Sequence, residues 1–256
     1  MRRCTYLVLS LFCLMSSGCA YFRDRCDADL LSRGRVLVLS GIETPSIFTS
    51  NIATGIAESG WNGSVEIHDW RTGHFHNFAY HLMDVETNRQ RSQELSDKIV
   101  TYQDQYPDAP VHLVGHSGGA GIIVMALEAL LSERQVTTAT LLASALSPDH
   151  DLSIALARTS RGMWHYHSPG DFVLCGLGTS LLGTIDREHR PAAAMLGFNR
   201  PLQLTDFERH QYDTKLHDIP YNLGMLRDGN IGEHFGCSQS RFVRKRIAPV
   251  ILGTAS

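Results

Sequence analysis

The sequence predicts an α/β fold in which a mostly parallel central sheet is covered by helices on both faces. Apolar runs that suit buried strands alternate along the chain with runs that suit helices. One predicted strand, 111–115, leads through glycines directly into an apolar helical run. A length of 256 residues suits a single domain of this class with a full-sized core.

Each predicted strand is a short apolar run, and each predicted helix carries apolar residues at helical spacing. The predicted strands are 35–41, 65–70, 111–115, 136–143 and 162–167. The predicted helices are 51–59, 86–105, 120–131, 151–158 and 242–251. Binding and catalytic groups of parallel sheets lie at the carboxyl ends of the strands, so we expect functional side chains just after these runs.

The segment Gly115–Gly119 has the pattern G-x-S-x-G and stands between a strand and a helix. This arrangement is typical of a nucleophile elbow, a sharp turn that holds a serine hydroxyl clear of its neighbours. Glycines flank the serine because a Cβ at those positions would collide with the adjacent strand or with a substrate. A dinucleotide-binding turn is disfavoured, since Ser117 occupies the place of its second glycine. Ser117 is therefore the candidate nucleophile.

A serine nucleophile needs a base that takes its proton and an acid that orients the base. In hydrolases with a nucleophile elbow the chain order is serine, acid, histidine. Asp171 follows the predicted strand 162–167 and is the first candidate for the acid. Asp149 is the reserve candidate, and Asp186 is a weaker one.

The base is expected on a late loop that precedes the last predicted helix, and His234 has this position. His217 is its main rival. His116, beside the candidate nucleophile, is interpreted as a wall residue of the substrate pocket. His112 lies inside a predicted strand and is interpreted as a core histidine with a hydrogen-bond partner.

Negative charge that develops on an attacked carbonyl requires two backbone N–H donors. The N–H of Gly118, directly after the candidate nucleophile, is the first of them. The second is expected from the loop after the first strand, at Ile42 or alternatively at Glu43.

The elbow, Asp171 and His234, in that order on alternating strands and helices, resemble the α/β-hydrolase superfamily. Within it, the chain resembles bacterial proteins with signal sequences that share motifs over roughly residues 33–252. These motifs are Leu-Ser-Gly-Ile-Glu, Glu-Ile-His-Asp-Trp, His-Leu-Val-Gly-His-Ser-Gly-Gly and Gly-x-His-Phe-Gly. The resemblance implies hydrolysis of an ester, lipid or amide through an acyl-enzyme, without a metal or an organic cofactor. The loop at Gly41 departs from the His-Gly-Gly-Gly type of many esterases.

The first eighteen residues have the composition of a signal peptide. Arg2 and Arg3 precede an apolar stretch too short to span a bilayer as a mature helix. Small residues before Cys19 resemble a lipobox, so Cys19 is the expected lipidation site and residues 19–32 an N-terminal tether. We expect an exported protein anchored by lipid to a membrane of the cell envelope, with a soluble periplasmic or secreted protein as the alternative. The hydrolase domain then covers residues 33–256.

Three cysteines follow Cys19, so at most one internal disulfide is expected, and oxidising conditions after export permit it. A bridge between Cys175 and Cys237 would brace the loop of His234. The segment 174–204 is rich in glycine, leucine and alanine. It is interpreted either as a mobile apolar flap over the pocket or as packed helix without a functional role.

The formal net charge of −3 gives no indication of nucleic-acid binding, and the oligomeric state is left open. A trypsin-like protease is disfavoured because its residues follow the order histidine, aspartate, serine. A zinc-dependent hydrolase has only the pair His165 and His167 in its favour, too few for a zinc site. The non-enzymatic alternative is a surface lipoprotein that kept the fold and acts as a binding module.

Overall fold

The computed structural model describes residues 22–42, 46–70 and 84–255. In this part of the chain six strands form one sheet in the order β2-β1-β3-β4-β5-β6, and every neighbouring pair is parallel. The strands are β1 Arg35–Leu39, β2 Ser64–His68, β3 Val111–His116, β4 Val136–Leu142, β5 Thr159–His167 and β6 Leu216–Pro220. The predicted parallel α/β fold is confirmed.

Helices connect the strands and cover both faces of the sheet. The longer ones are α2 Ile47–Ala57, α3 Val85–Gln105, α4 Gly118–Ala129 and α8 Asp206–Lys215. The shorter ones are α1 Ala28–Ser32, α5 Ser153–Ala157, α6 Thr179–Leu182, α7 Ala193–Leu196, α9 Ser240–Phe242 and α10 Ala248–Leu252. Wide π-type turns occupy Val173–Gly178 and Val243–Ile247, and 3-10 turns occupy Leu223–Asp228 and Gly236–Ser238.

The core has one apolar layer on each face of the sheet. Leu95 and Ile99 of α3 pack with Ile122 and Leu127 of α4 on one face. Ile52 and Ile56 of α2 pack with Phe242 of α9 on the other face. Because both faces of the sheet are buried, the strands are nearly continuous apolar runs in the sequence.

Most predicted elements occur where the sequence places them, and the differences lie at ends, at one edge and in the last predicted helix. A wide turn at Val243–Ile247 divides that helix, 242–251, into α9 and α10. Helix α2 begins four residues before the predicted 51–59, because Ser46 caps it by accepting a hydrogen bond from the N–H of Thr49. Helix α8 and strand β6 were not predicted. The expected tether 19–32 contains α1, and Arg25 in it pairs with Val65 at the edge of β2.

Several predictions lie outside the described residues. They are the signal peptide 1–18, the lipidation site Cys19 and the alternative donor Glu43. Among the described residues, none of the helices has both the length and the apolar character needed to cross a bilayer.

Candidate active site

Ser117 lies in the turn between β3 and α4, where the sequence predicts an elbow. Its backbone has φ 54° and ψ −119°, a left-handed conformation that a residue with a side chain rarely adopts. A Cβ at Gly119 would lie 2.3 Å from the carbonyl oxygen of Ser40, and one at Gly115 would lie 2.7 Å from the N–H nitrogen of Ala120. Gly119 therefore allows α4 to start directly against β1, Gly115 allows it to start directly against β3, and the serine takes up the strain of the turn.

Asp171 and His234 form a buried hydrogen-bonded pair. The imidazole Nδ1 of His234 lies 2.5 Å from Oδ2 of Asp171, and the two residues are 7% and 3% exposed. The other carboxylate oxygen of Asp171 accepts the backbone N–H of Cys175 at 3.2 Å. Because Nδ1 is engaged by the acid, the remaining nitrogen, Nε2, is the one that can exchange a proton with a substrate or a hydroxyl.

His116 joins this pair to the elbow. Its Nε2 donates a hydrogen bond to the backbone carbonyl of His234 at 3.0 Å, and the two rings lie 4.7 Å apart. Because Ser117 directly follows His116, this hydrogen bond places the backbone of the candidate base next to the backbone of the candidate nucleophile. Among the described residues, no hydrogen bond joins the Ser117 hydroxyl to the imidazole. Such bonds are often long before substrate binds.

Contacts from the loop after β5 hold the loop that carries His234. The hydroxyl of Ser168 donates to the carbonyl of Gly232 at 2.5 Å. Within the His234 loop, the side chain of Asn230 accepts the N–H of the same Gly232 at 2.8 Å. A Cβ at Gly170 would lie 2.3 Å from the Gly232 carbonyl oxygen, so the two loops are in backbone contact. The acid and the base are thus supported by the same pair of loops.

The loop after β1 lies against the elbow. A Cβ at Gly118 would lie 3.0 Å from Cγ2 of Ile42 and 3.2 Å from the ring of Trp70. The indole N–H of Trp70 donates to the carbonyl of Ser40 at 2.8 Å and so holds this loop in place. The two residues predicted to stabilise a developing oxyanion, Gly118 and Ile42, are neighbours in space.

The reserve candidates for the acid are engaged elsewhere. Asp149 lies at the surface, where it contacts Arg190 and accepts a hydrogen bond from Asn199 at 2.6 Å. Asp186 accepts the backbone N–H of Ser147 at 2.9 Å and lies 3.1 Å from Nδ1 of His150. Neither pairs with His234.

The rival histidines also have other partners. His217 stacks on Trp164 with ring centroids 4.4 Å apart. His112 is buried and bonds the hydroxyl of Thr138 at 2.7 Å. Burial, and to a smaller extent the charge of Arg161, lower the pKa of His112 to about 3. It is a neutral core histidine, as its position in a strand predicts.

The histidines of the zinc alternative lie beside Asp218, an aspartate of the neighbouring strand. Nδ1 of His165 lies 2.7 Å from Oδ1 of Asp218, and Nε2 of His167 lies 3.7 Å from the same oxygen. Among the described residues, the group that brings three ligand atoms together does not include either histidine.

The cysteine pairing suggested by the sequence is wrong, since Cys26, Cys175 and Cys237 are all free thiols. The two buried thiols contact different atoms of His234. Sγ of Cys175 lies 3.6 Å from Nδ1, and Sγ of Cys237 lies 3.6 Å from the carbonyl oxygen. The proximity of Cys175 to the acid and the base was not foreseen.

The segment 174–204 combines a buried inner side with an exposed apolar outer side. Its backbone N–H groups at Ala193 and Ala194 bond carbonyls of the loop after β4 at 2.8 Å. Leu177, Leu181 and Leu196 are exposed. Whether the segment moves as a flap stays a prediction.

The geometry defines the class of the chain: it has the α/β-hydrolase fold. No protein-family model and no curated protein sequence matches it. Among solved structures it is similar to the esterase Pf2001 of Pyrococcus furiosus, with a TM-score of 0.51 and 11% identity over 88% of this chain and 83% of that one. It is also similar to Est1E from Butyrivibrio proteoclasticus, with a TM-score of 0.47 and 13% identity over 86% of this chain and 88% of that one.

Proposed function

We propose that this protein is a serine hydrolase that cleaves carboxyl esters through an acyl-enzyme. The observation that carries the proposal is the buried Asp171–His234 pair at 2.5 Å, on a loop that His116 ties to the strained turn at Ser117. Serine, acid and base follow one another in the chain order of this fold. The Pf2001 structure named above is an esterase of the same fold, which favours ester bonds as the substrate.

In the proposed mechanism, Nε2 of His234 takes the proton of the Ser117 hydroxyl as its oxygen attacks the acyl carbon. Asp171 keeps Nδ1–H in place and stabilises the imidazolium that forms. The imidazolium then protonates the leaving alcohol, and an acyl-enzyme remains. Water hydrolyses the acyl-enzyme with the same histidine as base.

The N–H groups of Gly118 and Ile42 are the proposed donors to the tetrahedral oxyanion. The N–H of Gly118 is at the first turn of α4, so it has no partner within the helix. Loss of one such donor typically raises the barrier by about 3 kcal/mol. His116 remains a proposed wall residue of the substrate pocket.

Apolar side chains around the acid and the base favour an acyl substrate with a hydrocarbon part. Val173 and Leu181, shortly after the acid, are 68% and 77% exposed, and Ile231 before the base is 66% exposed. Large apolar side chains that are exposed on a folded protein can mark a binding surface. We therefore propose a small-molecule or lipid acyl ester as the substrate.

The first experiment measures covalent labelling by a fluorophosphonate probe. We expect labelling of the wild-type protein and none of Ser117→Ala. Ser180→Ala is the matched control, because its hydroxyl only donates to the Gly176 carbonyl and the variant keeps the nucleophile. Absence of labelling in folded wild-type protein would favour a binding module, and loss of turnover on chelation would favour a metal hydrolase.

The second experiment measures kcat on chromogenic esters of increasing acyl length. Ser117→Ala and His234→Ala should each remove nearly all turnover, and the double variant should be little worse because the two groups act as a unit. Losses that multiply in the double variant would contradict the triad. A preference for longer acyl chains would support the apolar surface as the binding region.

We also propose that the protein is exported and anchored by lipid at Cys19. The support is the leader-like composition of residues 1–18 and the small residues before the cysteine. Growth with a radiolabelled fatty acid should label the wild-type protein and not Cys19→Ser. Equal labelling of both proteins would contradict the anchor.

A further inference from the structure

Three buried side chains of different chemistry meet beside the imidazole of His234. Asp171, Cys175 and His234 each present one possible ligand atom, and the three atoms lie within 4.8 Å of one another. Sγ of Cys175 lies 3.6 Å from Nδ1, and Oδ2 of Asp171 lies 2.5 Å from the same nitrogen. Sulfur, imidazole nitrogen and carboxylate oxygen together form a donor set typical of zinc.

The spacing of these atoms suits a tetrahedral ion. Bonds of about 2.3 Å to sulfur and about 2.0 Å to nitrogen place those two atoms about 3.6 Å apart. Sγ of Cys175 and Nδ1 of His234 already have this separation, 3.6 Å. The carboxylate oxygen of Asp171 would have to withdraw from Nδ1 by about 0.8 Å, to the separation of about 3.3 Å that two such ligands require. The binding of the ion would require a rotation of the Asp171 side chain by this amount.

A small cavity that reaches the cluster at Asp171 provides space for a water molecule as the fourth ligand. Its volume is about 10 Å³, and Asp171, Glu233 and Cys237 are among the residues that line it. A space of this size holds about one water molecule. Three protein ligands and one water complete the coordination that zinc prefers.

We propose that Asp171, Cys175 and His234 form an inhibitory site for zinc. The thiol of Cys175 gives its proton to solvent, and the thiolate, the carboxylate and Nδ1 bind the ion. The neutral imidazole then carries its proton on Nε2, which no longer has a lone pair to accept the proton of Ser117. Metal binding thus stops the proposed hydrolysis; this consequence rests on the proposed function, whereas the binding itself does not.

The charges in the cluster agree with a metal rather than a redox role for the thiol. Burial and the neighbouring Asp171 raise the pKa of Cys175 well above its usual value, so the thiol is a poor nucleophile and resists oxidation. A divalent cation balances the two negative charges of the carboxylate and the thiolate.

The test titrates the purified, folded protein with Co²⁺ and then with Zn²⁺. Cobalt bound to a thiolate gives a charge-transfer band in the near ultraviolet, which reports Cys175 directly and needs no enzyme activity. We expect the band in wild-type protein, its displacement by Zn²⁺, and weakening of Zn²⁺ binding on the order of 100-fold in Cys175→Ser. Cys237→Ser is the matched control, since this buried thiol contacts the carbonyl of His234 and not Nδ1.

Ester hydrolysis in the same titration tests the inhibition, with each variant compared with its own metal-free rate. Because Nδ1 faces away from the nucleophile, Zn²⁺ should lower kcat and leave KM unchanged. Absence of the cobalt band, or an equal band in Cys175→Ser, would overturn the site. A bound metal that leaves turnover unchanged would overturn its inhibitory role. Failure of the metal-free protein to hydrolyse any ester would overturn the proposed function, and the cobalt band would still decide the site.

Discussion

The substitution Gly119→Ala tests whether the elbow depends on close backbone contact between α4 and β1. The added Cβ would lie 2.3 Å from the carbonyl oxygen of Ser40 and 2.9 Å from both Cβ and the carbonyl oxygen of Leu39. Carbon–oxygen contacts of this kind normally begin at about 3.3 Å, so the helix and the strand must separate by about 1 Å. The nearest atom is backbone and cannot rotate away. We therefore expect a cost near the upper end of overpacking, about 3 kcal/mol.

Urea unfolding followed by circular dichroism measures this cost, and thermal unfolding should show a decrease in Tm of about 6–12 °C. The matched control is Gly178→Ala, whose Cβ meets only the Val173 carbonyl at 3.5 Å, an ordinary contact. It should be neutral or stabilising by up to about 1 kcal/mol. The fluorophosphonate reaction of Ser117 should slow in Gly119→Ala, because Ser40 begins the loop that carries Ile42. Stability within about 0.5 kcal/mol of wild type would refute the reasoning.

Three further predictions concern the histidines. His116→Leu should lower kcat about 100-fold with little change in KM, because it removes the hydrogen bond that holds the backbone of His234. His116→Gln should recover part of the loss. Equal kcat in the wild type and both variants would contradict this positioning role. Burial lowers the pKa of His150, but hydrogen bonds with Asp186 and Glu128 outweigh it and raise the pKa to about 10. The stability that protonated His150 adds to the folded protein is complete below pH 6.5 and is lost as the pH rises through 10. His150→Leu should therefore lower the free energy of unfolding in urea by about 2 kcal/mol at pH 7 and remove the loss of stability at alkaline pH. An unchanged alkaline loss would count against the ion pair. The pKa of His112 is about 3 in the folded protein, so the unfolded chain binds the proton first as the pH falls. The free energy of unfolding should therefore fall by up to about 1.4 kcal/mol for each pH unit below 6.5. This dependence on pH should be weaker in His112→Gln.

The elbow could be predicted from the sequence because its causes are local. The strand, the glycines and the helix that follow one another around Ser117 determine the turn within a few residues. Asp171 and His234 could be chosen because the order of elements in this fold restricts where an acid and a base can stand. The structure brings these two residues together and leaves Asp149 and His217 with other partners.

Helix α8 and strand β6 were missed for different reasons. Helix α8 is polar, so apolar periodicity does not reveal it, but Thr205 and Glu208 form a capping box that could have done so. Strand β6 is an edge strand with exposed residues at His217 and Pro220 and has no clear alternation. An edge strand needs only one paired side, and its sequence therefore carries a weaker pattern than that of a central strand.

The contacts around His234 could not be predicted, because they are hydrogen bonds from side chains to backbone carbonyls. His116 bonds the carbonyl of His234, and Ser168 bonds that of Gly232. Any residue supplies a carbonyl, so no pattern in the loop shows which side chain will hold it. Cys175 is a partial exception, since it follows Asp171 by four residues and the wide turn between them brings its thiol to the imidazole. Sequence patterns therefore identify the candidate reactive groups, whereas the groups that hold them in position depend on contacts between distant loops.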